Sequence, residues 1–182
     1  MALYQKCIPS SYATSIFEID YDKMKKQGIK SLFFDLDNTI IAYDESQLSD
    51  KHLAFFKALL KDFKIVVISN SGYKRVSEAL IKLDVPYVHH SLKPTTRGLK
   101  KALKLAGTTK EETVLIGDQL MTDVLGASRF NIESILVRAV KRKSDRWMTR
   151  LNRRIEKSVL RKIKKVEPNL YQERLKAYVD GQ

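Results

Sequence analysis

The stretch SLFFDLDNT, residues 31–39, decides how the rest of the chain is read. Three large apolar side chains, Leu32, Phe33 and Phe34, run without interruption into two acids one residue apart, Asp35 and Asp37. A short unbroken apolar run followed by polar turn residues reads as a strand buried on both faces in a parallel sheet, with the acids at its carboxyl end. In doubly wound sheets that end opens on the ligand crevice, so charge can stand there without being buried unpaired. Two carboxylates this close need a positive partner. A divalent cation such as Mg²⁺ is the simplest, because it takes hard oxygen ligands from carboxylates and leaves room for a phosphate oxygen. The plainer alternative is a solvated turn in which Asp35 and Asp37 cap a loop.

Working outward from this strand, the same pattern recurs. Ile65–Ile68 is a second apolar run, ending at Ser69, Asn70 and Ser71; Thr113–Ile116 is a third, ending at Gly117 and Asp118; Ile135–Val137 is a fourth. Between the runs lie helical periodicities. Ser49 is a plausible N-cap for a helix carrying Leu53, Phe56, Leu59 and Leu60, and Val76, Ala79, Leu80 and Leu83 share a face. Leu99, Ala102, Leu103 and Ala106 form a third stripe, which Gly107 stops. Tyr87–His89 reads as a short strand, and Lys93 and Pro94 as a turn. Strand and helix alternate throughout, which argues an α/β fold with a mainly parallel sheet, helices on both faces and right-handed crossovers. Residues 1–28 read as an N-terminal extension of loop and short helices, 29–140 as the α/β core, and 141–182 as a basic helical tail.

The positional coincidence carries more than any one residue. Asp35 with Asp37, Ser69 with Asn70, and Asp118 each follow a separate buried strand, and parallel strands bring those ends to one edge of the sheet. Taken singly each has an ordinary reading: Ser69 and Asn70 as an N-cap pair, Lys93 as a solvated loop lysine, Asp123 as a helix-start acid, and His89 and His90 as strand-end residues outside the site. Together they describe a site.

The chain of 182 residues carries 34 Lys and Arg against 21 Asp and Glu, a net charge of +13, which points to a polyanionic partner: nucleic acid, an anionic membrane or a phosphorylated substrate. No apolar run approaches the roughly 18 residues of a membrane-spanning helix, the N-terminus lacks the apolar core of a signal peptide, and the single cysteine, Cys7, fits a reducing compartment. A cytoplasmic protein is expected.

The four elements DLDNT at 35–39, SN at 69–70, KP at 93–94 and GDQLMTD at 117–123 resemble, in order and spacing, the four motifs of the haloacid dehalogenase (HAD) superfamily of phosphotransferases. The resemblance implies that Asp35 is a nucleophile forming an aspartyl-phosphate, that Asp37 is the general acid and then base, with its backbone carbonyl reaching the metal, and that Ser69, Asn70 and Lys93 bind the phosphate. It further implies a Mg²⁺ site of Asp35, Asp37, Asp118 and Asp123. Elementary electrostatics agrees, because a carboxylate attacking a phosphate dianion needs intervening positive charge. Asp37 has to carry a proton at the first step, and the negative charge of Asp35 and the incoming phosphate beside it works in that direction. The gaps between motifs leave no room for an inserted cap domain, so an open cleft suited to a large substrate is expected.

From Lys141 to Lys165 the sequence holds 12 basic residues and 2 acidic ones, with Trp147, Met148, Leu151, Ile155, Val159 and Ile163 at helical spacing. One reading is a basic amphipathic helix lying in a membrane interface; the other is a helix packing that stripe on the sheet, its basic face in solvent. Nucleic-acid binding is weaker, since the tail offers no aromatic stacking platform. Over nearly its whole length, including SLKPTTRGLKKALKLAG, GDQLMTDVLGASR and TRLNRRIE, the chain resembles the YqeG-type class IIIA HAD phosphatases. That family is similar to the mitochondrial phosphatidylglycerophosphatase, which implies an anionic phospholipid substrate and a peripheral place on the inner face of the cytoplasmic membrane. The alternatives are a soluble or nucleic-acid phosphomonoester, and an RNA- or ribosome-binding module with a vestigial site. One departure from the family pattern, Ser71 where a second Asn is common, carries no expected chemical consequence.

Overall fold

The computed structural model describes residues 1–141 and 147–181, with side chains outside 142–151. Six parallel strands form one open sheet: β1 (Ser11–Ala13), β2 (Ser31–Phe34), β3 (Lys64–Ile68), β4 (Tyr87–Val88), β5 (Thr113–Gly117) and β6 (Glu133–Val137), in the order β1-β6-β5-β2-β3-β4. The apolar runs are strands because both of their faces are covered. Leu32 and Phe34 point into one layer with Ile65, Val67, Val114 and Ile116. Phe33 points into the other with Val66, Ile68 and Leu115, as the two-residue period of a strand requires.

Helices α1 (Tyr21–Lys26), α2 (Asp50–Leu59) and α3 (Tyr73–Ala79) supply Met24, Phe56 and Val76 to the first layer. Ser49 caps α2 by accepting from the His52 backbone N–H. Helices α4 (Arg97–Ala106) and α5 (Leu125–Phe130) supply Leu99, Ala102, Ala127 and Phe130 to the second. Gly107 takes φ 61° at the end of α4, a left-handed conformation that suits glycine. A π-helical turn, Leu120–Val124, joins β5 to α5.

The chain winds from β2 out to β4 and returns to β5 on the opposite side of β2. The strand order therefore reverses between β2 and β5, where their carboxyl ends open the crevice of a doubly wound sheet. The links from Asp37 to Ser69 and from Ser69 to Lys93 each carry one helix and one strand, so no cap domain is inserted.

Two regions differ from the sequence reading. Residues 1–28 were expected as loop and short helices, yet Ser11–Ala13 is an edge strand paired with β6, Tyr12 opposite Leu136. Its three residues have no apolar run, so only the neighbouring strand makes it legible. The tail forms α6 (Trp147–Val166), α7 (Pro168–Arg174) and α8 (Lys176–Asp180). Val159, Leu160 and Ile163 of α6 pack with Tyr171, Leu175 and Tyr178 against Cys7, Leu120, Val124 and Leu136, a third buried cluster. The sheet-packing reading therefore holds for Val159 and Ile163. Ile155 is exposed, and the side chains of Trp147, Met148 and Leu151 lie outside the described residues.

Candidate active site

Asp35 follows β2 and Asp118 follows β5, neighbouring strands in register, so their side chains meet at the crevice. Asp123 joins them from the π-helical turn. One carboxylate oxygen from each of the three lies within 4.8 Å of the others, and all three residues are buried. Gly117 makes the third approach feasible: a Cβ at that position would lie 2.3 Å from Asp123 Cγ. The Gln119 backbone N–H donates to Asp123 Oδ2 at 3.1 Å, which fixes the carboxylate.

Lys93 sits at the floor of this cluster. Its Nζ lies 2.7 Å from Asp35 Oδ1 and 2.6 Å from Asp123 Oδ1, and donates to the Ile68 carbonyl at 3.0 Å. Burial by itself would lower the Lys93 pKa; the charges of Asp123 and Asp35 outweigh it and hold the ammonium well above the usual lysine range. Asp35 is pushed well above the usual carboxylate range, first by burial, with Lys93 opposing and the charges of Asp123, Asp118 and Asp37 adding to the rise. The cluster is short of positive charge.

The loop that presents Lys93 is held by Asn70. The Asn70 side-chain carbonyl accepts from the Lys93 backbone N–H at 2.8 Å and from Ser91 Oγ at 2.7 Å, and its amide donates to the Lys93 carbonyl at 3.0 Å. This gives Asn70 a role beyond the expected one. Its side chain positions the lysine loop, and the residue borders the cleft together with Ser69 and Lys93.

Asp37 belongs to a different neighbourhood. Its carboxylate accepts from Ser69 Oγ at 3.2 Å and Ser71 Oγ at 2.7 Å, and pairs with Arg75, whose Nε and Nη2 lie 3.0 and 2.9 Å from Oδ1. The side chain of Asp37 lies outside the group of Asp35, Asp118 and Asp123, which leaves its backbone carbonyl, the atom the resemblance implied, as the candidate ligand. Its nearest charge is the Arg75 guanidinium, opposite in sign to the neighbours the sequence reading supplied. Ser71, expected to be inconsequential, is a direct partner of Asp37. Arg75 was not recognised in the sequence; it lies on α3 and is aimed by the Ala42 and Glu45 carbonyls, which accept from its Nη2 and Nη1.

The tail supplies a second group of residues that sequence reasoning missed. Arg153 Nη2 lies 2.5 Å from Asp118 Oδ2, the Tyr178 hydroxyl donates to Glu156 Oε1 at 2.6 Å, and the Leu120 backbone N–H donates to Glu156 Oε2 at 3.4 Å. Glu156 carried a legible signal. It is one of two acids in an otherwise basic segment and precedes Val159, Leu160 and Ile163 at helical spacing, on the inward side.

Above the acids opens a cleft of about 570 Å³, bordered by Ser69, Lys93, Met121, Arg129 and Asn152 among others. The donor set at its floor, three buried carboxylates converging from two strand ends and a turn, is all hard oxygen and fits Mg²⁺. His89 and His90 do not border the cleft.

Comparisons with known proteins agree with this geometry. The HAD-hydrolase-like family model matches residues 92–163. The Bacillus subtilis protein named "Probable phosphatase YqeG" is 32% identical over 159 residues, covering 87% of this chain and 92% of that one. Phosphatidylglycerophosphate phosphatase 1 of Arabidopsis thaliana is 22% identical over 175 residues; the match takes in 87% of this chain and 48% of the plant protein, about half its length. Among solved structures, the deoxy-D-mannose-octulosonate 8-phosphate phosphatase of Haemophilus influenzae superposes with a TM-score of 0.50 at 15% identity, over 75% of this chain and 90% of that one. A HAD family enzyme of Bacteroides thetaiotaomicron, a magnesium complex, gives 0.51 at 14% identity over 64% and 97%. These two share the fold. With strand-end acids, the lysine loop and a relative matched over most of both chains, the protein belongs to the YqeG family of HAD-like phosphatases.

Proposed function

We propose that the protein hydrolyses phosphomonoesters with Mg²⁺ through a phosphoryl group carried on Asp35, and that its substrate is phosphatidylglycerophosphate at an anionic membrane surface. The observation that supports this best is the setting of Asp35, a buried carboxylate at a strand end with Lys93 at 2.7 Å and two further carboxylates within 4.8 Å. Held by Asp35, Asp118, Asp123 and the Asp37 carbonyl, Mg²⁺ supplies charge that offsets the repulsion between nucleophile and phosphate.

The remaining steps belong to the side chains. A phosphate entering the cleft meets the Lys93 ammonium and the Ser69 hydroxyl, which orient its oxygens. Asp35 attacks phosphorus as the bond to the leaving oxygen breaks, and Asp37 delivers a proton to that oxygen. Asp37 then takes a proton from the water that attacks phosphorus, inorganic phosphate leaves, and Asp35 is restored. Arg75, Ser69 and Ser71 set the position from which Asp37 does this.

The lipid assignment draws on three supports. The Arabidopsis and Chlamydomonas relatives carry the name phosphatidylglycerophosphate phosphatase. Among the described residues no cap domain is inserted over the cleft. The outer face of α6 exposes Arg154, Lys157, Arg161, Lys162, Lys164 and Lys165, each worth about 1 kcal/mol near an anionic leaflet. No helix among the described residues is long and apolar enough to cross a membrane; the arrangement proposed is a peripheral one, on the inner face of the cytoplasmic membrane. Vesicles containing phosphatidylglycerophosphate, with Mg²⁺, should release phosphate in the presence of the protein. Faster turnover of p-nitrophenyl phosphate or 5′-phosphorylated oligonucleotides would reject the lipid. Absence of release from all three by folded protein would reject the enzyme.

A further inference from the structure

The innermost polar groups of the C-terminal helices are directed at the loop that follows β5. Arg153 and Glu156 stand three residues apart on α6, hence on one face, and Tyr178 comes from α8. They hold the segment Asp118–Leu120 at three points: Arg153 on Asp118 Oδ2 at 2.5 Å, the Tyr178 hydroxyl against the Asp118 carbonyl at 3.3 Å, and Glu156 on the Leu120 N–H at 3.4 Å. Asp118 and Tyr178 are fully buried and Glu156 is 2% exposed. The inward face of α6 thus engages the loop after β5, while its exposed basic residues stay on the outer face. Polar residues in buried positions cost free energy unless all are satisfied.

We propose that Arg153 is a positioning residue of the metal site: it fixes the orientation of the Asp118 carboxylate, and through it α6–α8 form a structural part of the active site. The proposal rests on the reading of Asp35, Asp118 and Asp123 as a cation site. Charge favours the arrangement. Four buried carboxylates, Asp35, Asp118, Asp123 and Glu156, against Lys93 and Arg153 leave two net negative charges, which a divalent ion cancels before a phosphate dianion arrives. A guanidinium near a cation site also repels the ion. That effect is limited because Arg153 Nη1 donates to the Tyr178 hydroxyl at 3.3 Å, which ties the group to α8 on the side of Asp118 where the helices pack. Orientation of the ligand then outweighs repulsion, as with partners that hydrogen-bond metal-bound carboxylates elsewhere.

The test is calorimetric titration of the full chain with Mg²⁺ alone, alongside the thermal midpoint of the ion-free protein. Arg153→Met, close in length and uncharged, should weaken Mg²⁺ binding about tenfold. Arg153→Lys should recover most of that loss, and Tyr178→Phe, which keeps the packing and removes the hydroxyl, should weaken binding about threefold. A purely structural role would shift the midpoint and leave the dissociation constant alone. Wild-type or tighter Mg²⁺ binding by Arg153→Met overturns the proposal. If that variant does not fold, unchanged Mg²⁺ binding in Tyr178→Phe overturns it. A wild-type protein that binds no Mg²⁺ overturns this proposal and the phosphatase reading together, whereas wild-type binding with unaffected variants overturns this one alone.

Discussion

Asp35 and Asp37 are separated by one residue, yet they occupy different electrostatic neighbourhoods. Asp35 is buried with Asp118 and Asp123 around Lys93, in a cluster short of positive charge. The side chain of Asp37 is 18% exposed and held by Arg75 and two serine hydroxyls, away from that cluster. One strand end thus gives two carboxylates distinct partners, a difference that fits the roles proposed for them: a bond to phosphorus for the first, proton handling for the second. Two acids with separate environments are what acid–base and nucleophilic division of labour requires.

The largest expected effect breaks the comparison if it fails. Asp35→Asn should lower phosphate release by roughly 10³-fold or more while circular dichroism stays native, because Asp37 is turned away and cannot substitute. Next is Lys93→Met, which leaves Asp35 and Asp123 buried without their shared cation. Urea unfolding without divalent ions should show a loss of about 3–5 kcal/mol, smaller when Mg²⁺ is present. Gly117→Ala would force Asp123 from its place and weaken Mg²⁺ binding roughly 10- to 100-fold by titration.

Arg75→Met sharpens the division. It should lower kcat by about tenfold and leave the Mg²⁺ dissociation constant unchanged, since the guanidinium bonds Asp37 and the Ala42 and Glu45 carbonyls but none of Asp35, Asp118 and Asp123. An equal loss of metal binding would merge the two neighbourhoods into one.

The smallest effect lies behind the site. Burial, then the charge of Glu156, with Arg129 opposing, pushes the Cys7 thiol from 9.0 up to about 12. A thiol raised in the folded state contributes stability below pH 9 that is lost as pH climbs towards about 12. Denaturation midpoints followed across that range should fall less steeply in Cys7→Ala than in the wild-type chain.

What the sequence made legible follows from distance along the chain. The strands at 31–34, 64–68 and 113–117 announce themselves by apolar runs, and their last residues mark the crevice without further information. Residue types at strand ends also pick out Asp35, Ser69 and Asp118, and Lys93 stands out in the turn before α4. Orientation is another matter: that Asn70 serves the lysine loop and Asp37 faces Arg75 depends on side-chain directions that spacing does not encode. The tail shows the same limit. Periodicity reveals that α6 has an apolar face, but not whether lipid or protein covers it, and the buried packing of Val159 and Ile163 comes from the partner surface. β1 is hidden for a related reason, because an edge strand of three residues is specified by β6.

The central claim is that Asp35 carries the phosphoryl group, and acid-quenched turnover of a substrate with a radiolabelled phosphate tests it most directly. The account predicts label on the wild-type protein that hydroxylamine removes, as an acyl phosphate requires, and none on Asp35→Asn. Phosphate release with no labelled protein, or label that persists on Asp35→Asn, would contradict it.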